Sequence, residues 1–299
     1  MSLPLVASLV AGAASFVVLA FMFVPLERLF PARDQAILRK DVGVDALFFA
    51  GQYVVWNAAS LLILAHVDTF VGARTPDGWH AWLAARPLWL VGFASVVLGD
   101  TLVYWFHRAC HASDFLWRFH AVHHSSERLD WLAAHREHPL DGITTQVCQN
   151  LPAFLLGFPV EGLAAFIAFR GMWAIFIHSN VRLPLGPLRW IFGAPELHRW
   201  HHANVERTVH NFANVAPWLD VVFGTHHLPE AEEYSLGLSE PWPRGYLSQL
   251  AQPFVLTVAT ARRWLTLARP SSSPSRRPRS DSTSAPPRAR SSRATPLRS

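Results

Sequence analysis

Charge is scarce in this chain. Asp, Glu, Lys and Arg make up 16% of its 299 residues, against about 25% in ordinary soluble domains. So little charge argues against a freely soluble globule and for a surface that faces lipid. Lysine is nearly missing, with Lys40 alone beside 25 arginines, a skew that points to a GC-rich, bacterial coding sequence. Cysteine is limited to Cys110 and Cys148. Two isolated thiols exclude a CxxC motif and a disulfide framework. Both stand in or beside apolar segments, where Cys acts as a small hydrophobe. What dominates instead is hydrophobic sequence, 51% of the chain.

Three apolar stretches, Leu3–Pro25, Val42–Val67 and Pro87–Phe106, each approach the ~20 residues a helix needs to cross the hydrocarbon core. Ionisable residues inside them are few, with Asp45 in the second and Asp100 in the third. The first stretch has no Lys or Arg ahead of its long apolar run. It therefore reads as an uncleaved span and not as a secretion signal. Arg28, Arg33, Arg39 and Lys40 follow it, and a basic loop of this kind marks the cytoplasmic side. The N-terminus is then outside, as is the loop Asp68–Arg86. The third span returns and delivers His107 to the cytoplasmic side.

A fourth apolar region, Leu151–Ile177, is interrupted by Pro152, Gly157, Pro159, Glu161 and Gly162. Two full crossings need roughly 40 residues, and this region has 27. A shallow helical hairpin is expected, buried against the other helices because irregular backbone at that depth needs protein cover. The expected fold is all-α: three full spans, the hairpin, and a cytoplasmic histidine-rich helical cap. Residues 1–95 hold the first spans, 96–245 the histidine domain with the third span and hairpin, 246–269 an amphipathic helix and 270–299 a tail. Leu247, Leu250, Phe254, Val258 and Leu265 share one side of the amphipathic helix, which lies on the membrane surface or packs on the domain. The tail carries Arg276, Arg277, Arg279, Arg288, Arg290, Arg293 and Arg298 against Asp281. The chain's net +5 therefore resides there. Its Ser, Pro and Arg cannot bury a core, so disorder is expected. Attraction to anionic lipid headgroups is one role, and a solvated extension is the simpler one. No folded basic face is evident, so no nucleic-acid partner is expected.

Histidine is abundant: sixteen, fourteen of them after residue 100. They cluster as His107-Arg-Ala-Cys-His111, His120-Ala-Val-His123-His124 and His198-Arg-Trp-His201-His202. Residues three or four apart share a helix face, so each cluster projects its imidazoles together. A random HxxHH would occur about 0.05 times in a chain of this length and composition, and two are present. Eight imidazoles are too many for one zinc, which normally takes four protein ligands. Calcium's larger shell is built of oxygen. Eight fit two metal ions sharing a site, typically ~3.5–4 Å apart. Imidazole suits Fe, Zn, Cu and Ni alike, so the ligands alone do not name the metal.

The motifs in order are Asp100-Thr-Leu-Val-Tyr-Trp-Phe-His107-Arg-Ala-Cys-His111, Leu116-Trp-Arg-Phe-His120-Ala-Val-His123-His124-Ser-Ser-Glu127, Arg136-Glu-His138-Pro-Leu140, Phe176-Ile-His178-Ser-Asn180, His198-Arg-Trp-His201-His202 and Phe223-Gly-Thr225. Over residues 95–228 the sequence resembles the fatty acid hydroxylase/sterol desaturase superfamily. It differs from the related acyl-CoA desaturases, whose first box is usually one residue longer. The resemblance implies a membrane-embedded di-iron enzyme using O2, with the eight box histidines as ligands and His138 and His178 as further candidates. For His178 the competing reading is a helix-end histidine, and for His138 a supporting hydrogen-bond role stands level with ligation. His135 does not match a box. Asn211-Phe212 is followed by Ala213 where the family usually has Gly, and Leu219-Asp220 replaces the common Trp-Asp. His226 and His227 match no box and read as surface residues.

Asp100, Tyr104, His107 and His111 lie on one stripe of the third span. A carboxylate inside a membrane helix is a functional candidate. Asp100 lies about 10 Å along the helix from His107, so the expectation is that it orients a histidine of another helix, or pairs structurally with an Arg or Tyr. Trp105, Trp117 and Trp131 flank the site and fit interface anchors. The resemblance implies hydroxylation or desaturation of a lipid or sterol-like alkyl chain. No flavin or haem-domain motif is present, so electrons are expected from a separate reductase and carrier. A membrane zinc hydrolase would use the same imidazoles to activate water but usually adds a carboxylate base as in HExxH, which is lacking here. A bis-histidine haem protein would place single histidines within opposing spans. A non-catalytic metal-binding protein would not need all eight positions intact. The location expected is the bacterial inner membrane, with the histidines on the cytoplasmic side.

Overall fold

The computed structural model describes residues 3–158, 160–205, 207–228 and 233–255. The basic tail and the distal part of the 246–269 segment lie outside these residues. The described residues form helices and no strand, with isolated bridges at Pro31–Val181 and Ala203–Leu236. Three helical stretches, Val6–Leu29, Val42–Gly72 and Leu88–Ala112, are long and apolar enough to cross a membrane. Val17, Val18, Phe21, Leu61 and Phe93 stand exposed on them, as side chains against lipid would.

The first span is α1 (Leu3–Leu29). The second runs as α2 (Val42–Gly51), a π-helical turn at Gln52–Trp56, and α3 (Asn57–Gly72). Such π-bulges shift side-chain register and often mark functional sites. The following connection is not plain loop, because it contains α4 (Asp77–Ala84). The third span, α5 (Leu88–Ala112), continues past Phe106 and carries His107 and His111 on its last turns. Ser113 ends it in an extended conformation and caps α6 (Asp114–His124), its hydroxyl accepting from the Leu116 amide at 3.4 Å.

The hairpin is present as α7 (Pro139–Leu155) and α8 (Val160–His178). Its first arm begins at Pro139, well before the apolar run at Leu151. The early half of α7 is polar because it faces inward, so hydropathy did not register it. Arms of 17 and 19 residues reach about 25–28 Å at 1.5 Å per residue, longer than the apolar run suggested. Gly157 turns the chain between them with φ 64°, a left-handed conformation that favours glycine. Short helices α9 (Pro195–His201) and α10 (Trp218–Val222) follow. Residues 246–255 are helical, and Tyr246 and Leu250 pack on Phe48, Trp56 and Val122 while Leu247 stays exposed. The described part of this helix therefore docks on the domain.

A buried ion network ties the loop after α1 to the histidine region. Arg39 reaches Asp130 at 2.5 and 2.7 Å and Asp45 at 2.6 Å, and Arg136 reaches the other Asp45 oxygen at 2.5 Å. Asp45, in the second span, is thereby fully paired, as buried charges must be. Trp131 is not an interface anchor. It is 5% exposed and packs with Phe16, Leu19 and Phe23.

Candidate metal centre

The helices bring nine histidines together in two adjoining groups. His107, His111, His120, His124 and His201 form one, and His123, His178, His198 and His202 the other. Within each group one nitrogen per residue lies within 4.8 Å of all the others. Helical spacing explains the division. The i, i+4 pairs of α5 (His107, His111) and α6 (His120, His124) face the first group, and the i, i+4 pair of α9 (His198, His202) faces the second. His123 and His201 each cross to the opposite group from their neighbours. The groups abut, with the His124 and His202 rings stacked 4.4 Å apart.

Surrounding acceptors set the tautomers. His107 Nδ1 donates to the Phe212 carbonyl at 2.9 Å, His123 Nδ1 to Arg136 at 3.1 Å, His178 Nδ1 to Ala174 at 2.6 Å and His201 Nδ1 to His210 at 2.8 Å. His120 Nδ1 donates to the Asp141 carboxylate at 2.9 Å. A carbonyl can only accept, so each of these rings carries its proton on Nδ1 and a lone pair on Nε2. The Nε2 atoms of His107, His120, His124 and His201 are buried without a hydrogen-bond partner. In the second group the His123 and His178 Nε2 atoms are 3.0 Å apart, and His178 and His198 Nε2 are 2.8 Å apart. For His123 and His178 that is lone pair against lone pair, which no hydrogen bond can account for. A shared cation resolves it. Burial, then neighbouring imidazoles, hold His123, His124, His198 and His202 well below the ordinary histidine range, and burial holds His201 down to about 3. These five rings are therefore neutral, the form that ligates metal. Donor type, orientation and number all fit metal ions.

The other expected residues sit elsewhere. His138 belongs to neither group. It caps α7, its Nδ1 accepting from the Leu140 amide at 3.1 Å, and its Nε2 meets the Leu250 carbonyl at 3.3 Å. Asp100 does not bond an imidazole. Its carboxylate accepts from the Val215 amide at 3.2 Å and the Ala216 amide at 2.8 Å, because the loop before α10 folds back against α5. It thus fixes the loop whose Phe212 carbonyl holds His107. Asp220 secures the same loop from the other side, accepting from the Phe212 and Ala213 amides and the Thr225 hydroxyl. Burial raises Asp220 to about 6 against these bonds. The role expected of Asp100 falls to Asp141, which the sequence did not single out. Its only signal was an acidic residue on the inward stripe of a helix whose start was misread. The Cys110 thiol lies 3.8 Å from Asp141. His226 and His227 lie against Trp190 and Trp200 with tilted rings and belong to neither group. Ala213 and Leu219, the departures from the family pattern, pack with Tyr104 and Phe212.

A cavity of about 740 Å³ opens onto the histidines and extends between α1, α3, α5, α7 and α8, within the range of ligand sites. His107, His120, His123, His178 and His198 form one end, and Leu19, Leu64, Val103, Ile167 and Met172 line its flanks. His135 lies on its wall. Its Nδ1 donates to Gln52 Oε1 at 2.6 Å, and burial lowers its pKa to about 3.

The described residues thus combine membrane-length apolar helices, two adjoining histidine groups that could hold metal ions and a cavity that reaches them. Residues 92–225 match the sequence profile of the fatty acid hydroxylase family. The chain is 34% identical to the ornithine lipid hydroxylase of Rhizobium tropici over 178 residues, 58% of this chain and 54% of that protein. It is 32% identical to the alkylglycerol monooxygenase of Danio rerio over 170 residues, 55% of this chain and 36% of the relative. It is 30% identical to a methylsterol monooxygenase of Rattus norvegicus over 131 residues, 43% of this chain and 44% of the relative. The matches thus span about half the length of these relatives or less. No solved structure matches the chain. Over residues 92–225, less than half of the chain, the sequence is thus similar to the fatty acid hydroxylase family.

Proposed function

We propose that this chain is a membrane di-iron oxygenase that hydroxylates, or desaturates, an alkyl C–H bond of a lipid or sterol-like substrate, using O2 and electrons from a separate reductase and carrier. The observation that carries this reading is the convergence of buried imidazole nitrogens in two adjoining groups, unpartnered at Nε2 in the first and Nε2 against Nε2 in the second, beside a largely apolar cavity. His107, His111, His120, His124 and His201 would hold one iron, and His123, His178, His198 and His202 the other. Bound iron supplies the redox chemistry by which dioxygen oxidises an unactivated C–H bond. The protein's part is positioning. The backbone carbonyls of Phe212, Arg136, Ala174 and His210 hold four imidazoles in the ligating tautomer. Asp141 does the same for His120. Asp100 and Asp220 fix the loop behind His107. The apolar flanks align an alkyl chain and keep bulk water from the reacting carbon.

The proposed location is a bacterial inner membrane, in keeping with the bacterial relative. Contacts support a cytoplasmic histidine site. Glu27 accepts from the amides of Trp131 and Asn180, and Ala32 bonds Asn180. The basic loop after α1 and the histidine region therefore share one face, which the positive-inside rule makes cytoplasmic. The test is elemental analysis of detergent-purified protein beside a His123→Ala/His201→Ala variant, with O2 uptake measured on added lipids. About two irons per chain, lost in the variant, together with lipid-dependent O2 uptake are expected. Folded protein that binds no metal after iron-replete growth would overturn the reading, as would zinc alone with no O2 uptake after iron reconstitution.

A further inference from the structure

The cavity beside the histidines has one polar wall. Gln52, the first residue of the π-helical turn, and Asn57, which directly follows the turn, reach it from the second span, and Thr145, Gln146 and Gln149 reach it from α7. Asp141, Thr145 and Gln149 follow at one-turn intervals on α7. Thr145 and Gln149 thus carry the polar wall for about 6 Å at helical rise, beginning one turn past Asp141, the partner of His120. Carboxamides on a membrane-buried wall are costly unless something answers them.

His135 is the sharpest case. Its Nδ1 proton is committed to Gln52 Oε1 at 2.6 Å, so its Nε2 carries a lone pair. That atom is buried, has no partner among the described residues, and belongs to a side chain 6% exposed at the cavity wall. Nearby, Gln146 Nε2 donates to Asn57 Oδ1 at 3.0 Å. This leaves the Asn57 N–H and the Gln146 carbonyl to meet something else. Among the described lining residues there is no Arg or Lys, and Glu137 is the one carboxylate. A phosphate or free carboxylate would find no cationic Arg or Lys side chain along this wall.

We propose that this wall recognises an uncharged hydrogen-bond donor on the substrate, a hydroxyl or amide N–H, which donates to His135 Nε2 while Asn57 and Gln146 bind the same polar group. The substrate is then a lipid whose polar group enters the cavity, and not a plain hydrocarbon or a free fatty acid anion. This rests on the oxygenase reading only in taking the cavity as the substrate site.

The test compares 1-hexadecanol with its methyl ether, which keeps the oxygen and chain but lacks the O–H. Affinity is read from the ligand-dependent rise in unfolding temperature of the purified, metal-loaded protein. The alcohol should bind roughly fivefold more tightly than the ether, the scale of one neutral hydrogen bond. His135→Phe should abolish the preference with metal content unchanged. Gln52→Met, which frees the His135 tautomer, should weaken it. Equal affinity for alcohol and ether in the wild-type protein overturns the proposal, whatever the variants do, and is the result if water answers His135. Retention of the preference in a folded His135→Phe also overturns it. The readout needs no turnover. A preference without O2 uptake would sink the oxygenase reading alone, and O2 uptake without a preference would sink this proposal alone.

Discussion

Asp141 offers the clearest test of how the centre is held. It is 3% exposed, and its carboxylate receives the Nδ1 proton of His120, itself 6% exposed, at 2.9 Å. Replacing it by Ala removes the acceptor that fixes the His120 tautomer. The stranded N–H then costs about 1–3 kcal/mol. Either the ring turns to find another acceptor, or it keeps its geometry with a poorer donor nitrogen. Loss of such a supporting partner typically weakens metal binding 10- to 100-fold, about 1.4–2.7 kcal/mol. Because His120 stands in the five-histidine group, the loss should fall there first. Chelator titration of purified Asp141→Ala should release about one metal per chain at a chelator concentration the wild-type protein withstands, while the second is retained. Asp141→Asn keeps an acceptor oxygen and should lie between the two. Wild-type metal retention in Asp141→Ala would refute the reasoning. Simultaneous loss of both metals with a collapse in unfolding temperature would also refute it, by showing Asp141 to be a support of the fold alone.

Two further outcomes follow from the same geometry. His178→Ala should remove about one metal per chain because it belongs to the four-histidine group. His138→Ala should leave metal content unchanged and cost roughly 0.5–2 kcal/mol of stability through loss of the α7 cap, as elemental analysis and thermal unfolding would read. Gly99 lets α5 approach α7 so closely that an added methyl would fall on the Gln149 carbonyl and the Arg170 guanidinium. Gly99→Ala should therefore lower stability by about 1–3 kcal/mol and reduce ligand affinity at the far end of the cavity, checked by thermal unfolding with and without 1-hexadecanol.

The three spans and the eight box histidines were legible in the sequence because both are local signals. A span is a run of apolar residues of fixed length, and a histidine box is a set of spacings that one helix face imposes. Where local chemistry pointed two ways, only packing decided. The motif resemblance proposed His138 and His178 alike, yet His178 meets His123 and His198 while His138 caps a helix. Asp100 and Asp141 are both carboxylates on helices beside the site. Which one faces an imidazole depends on how α7 lies along α5 and on where the loop at 213–216 returns. The first arm of the hairpin was hidden because its polar residues point inward, against the usual sense of hydropathy. The division of nine imidazoles between two groups, the tautomers set by distant carbonyls and the polar wall of the cavity join residues far apart in the chain. Sequence spacing carries no record of such contacts. They follow from the directions in which side chains leave packed helices, and the tertiary structure alone fixes those directions.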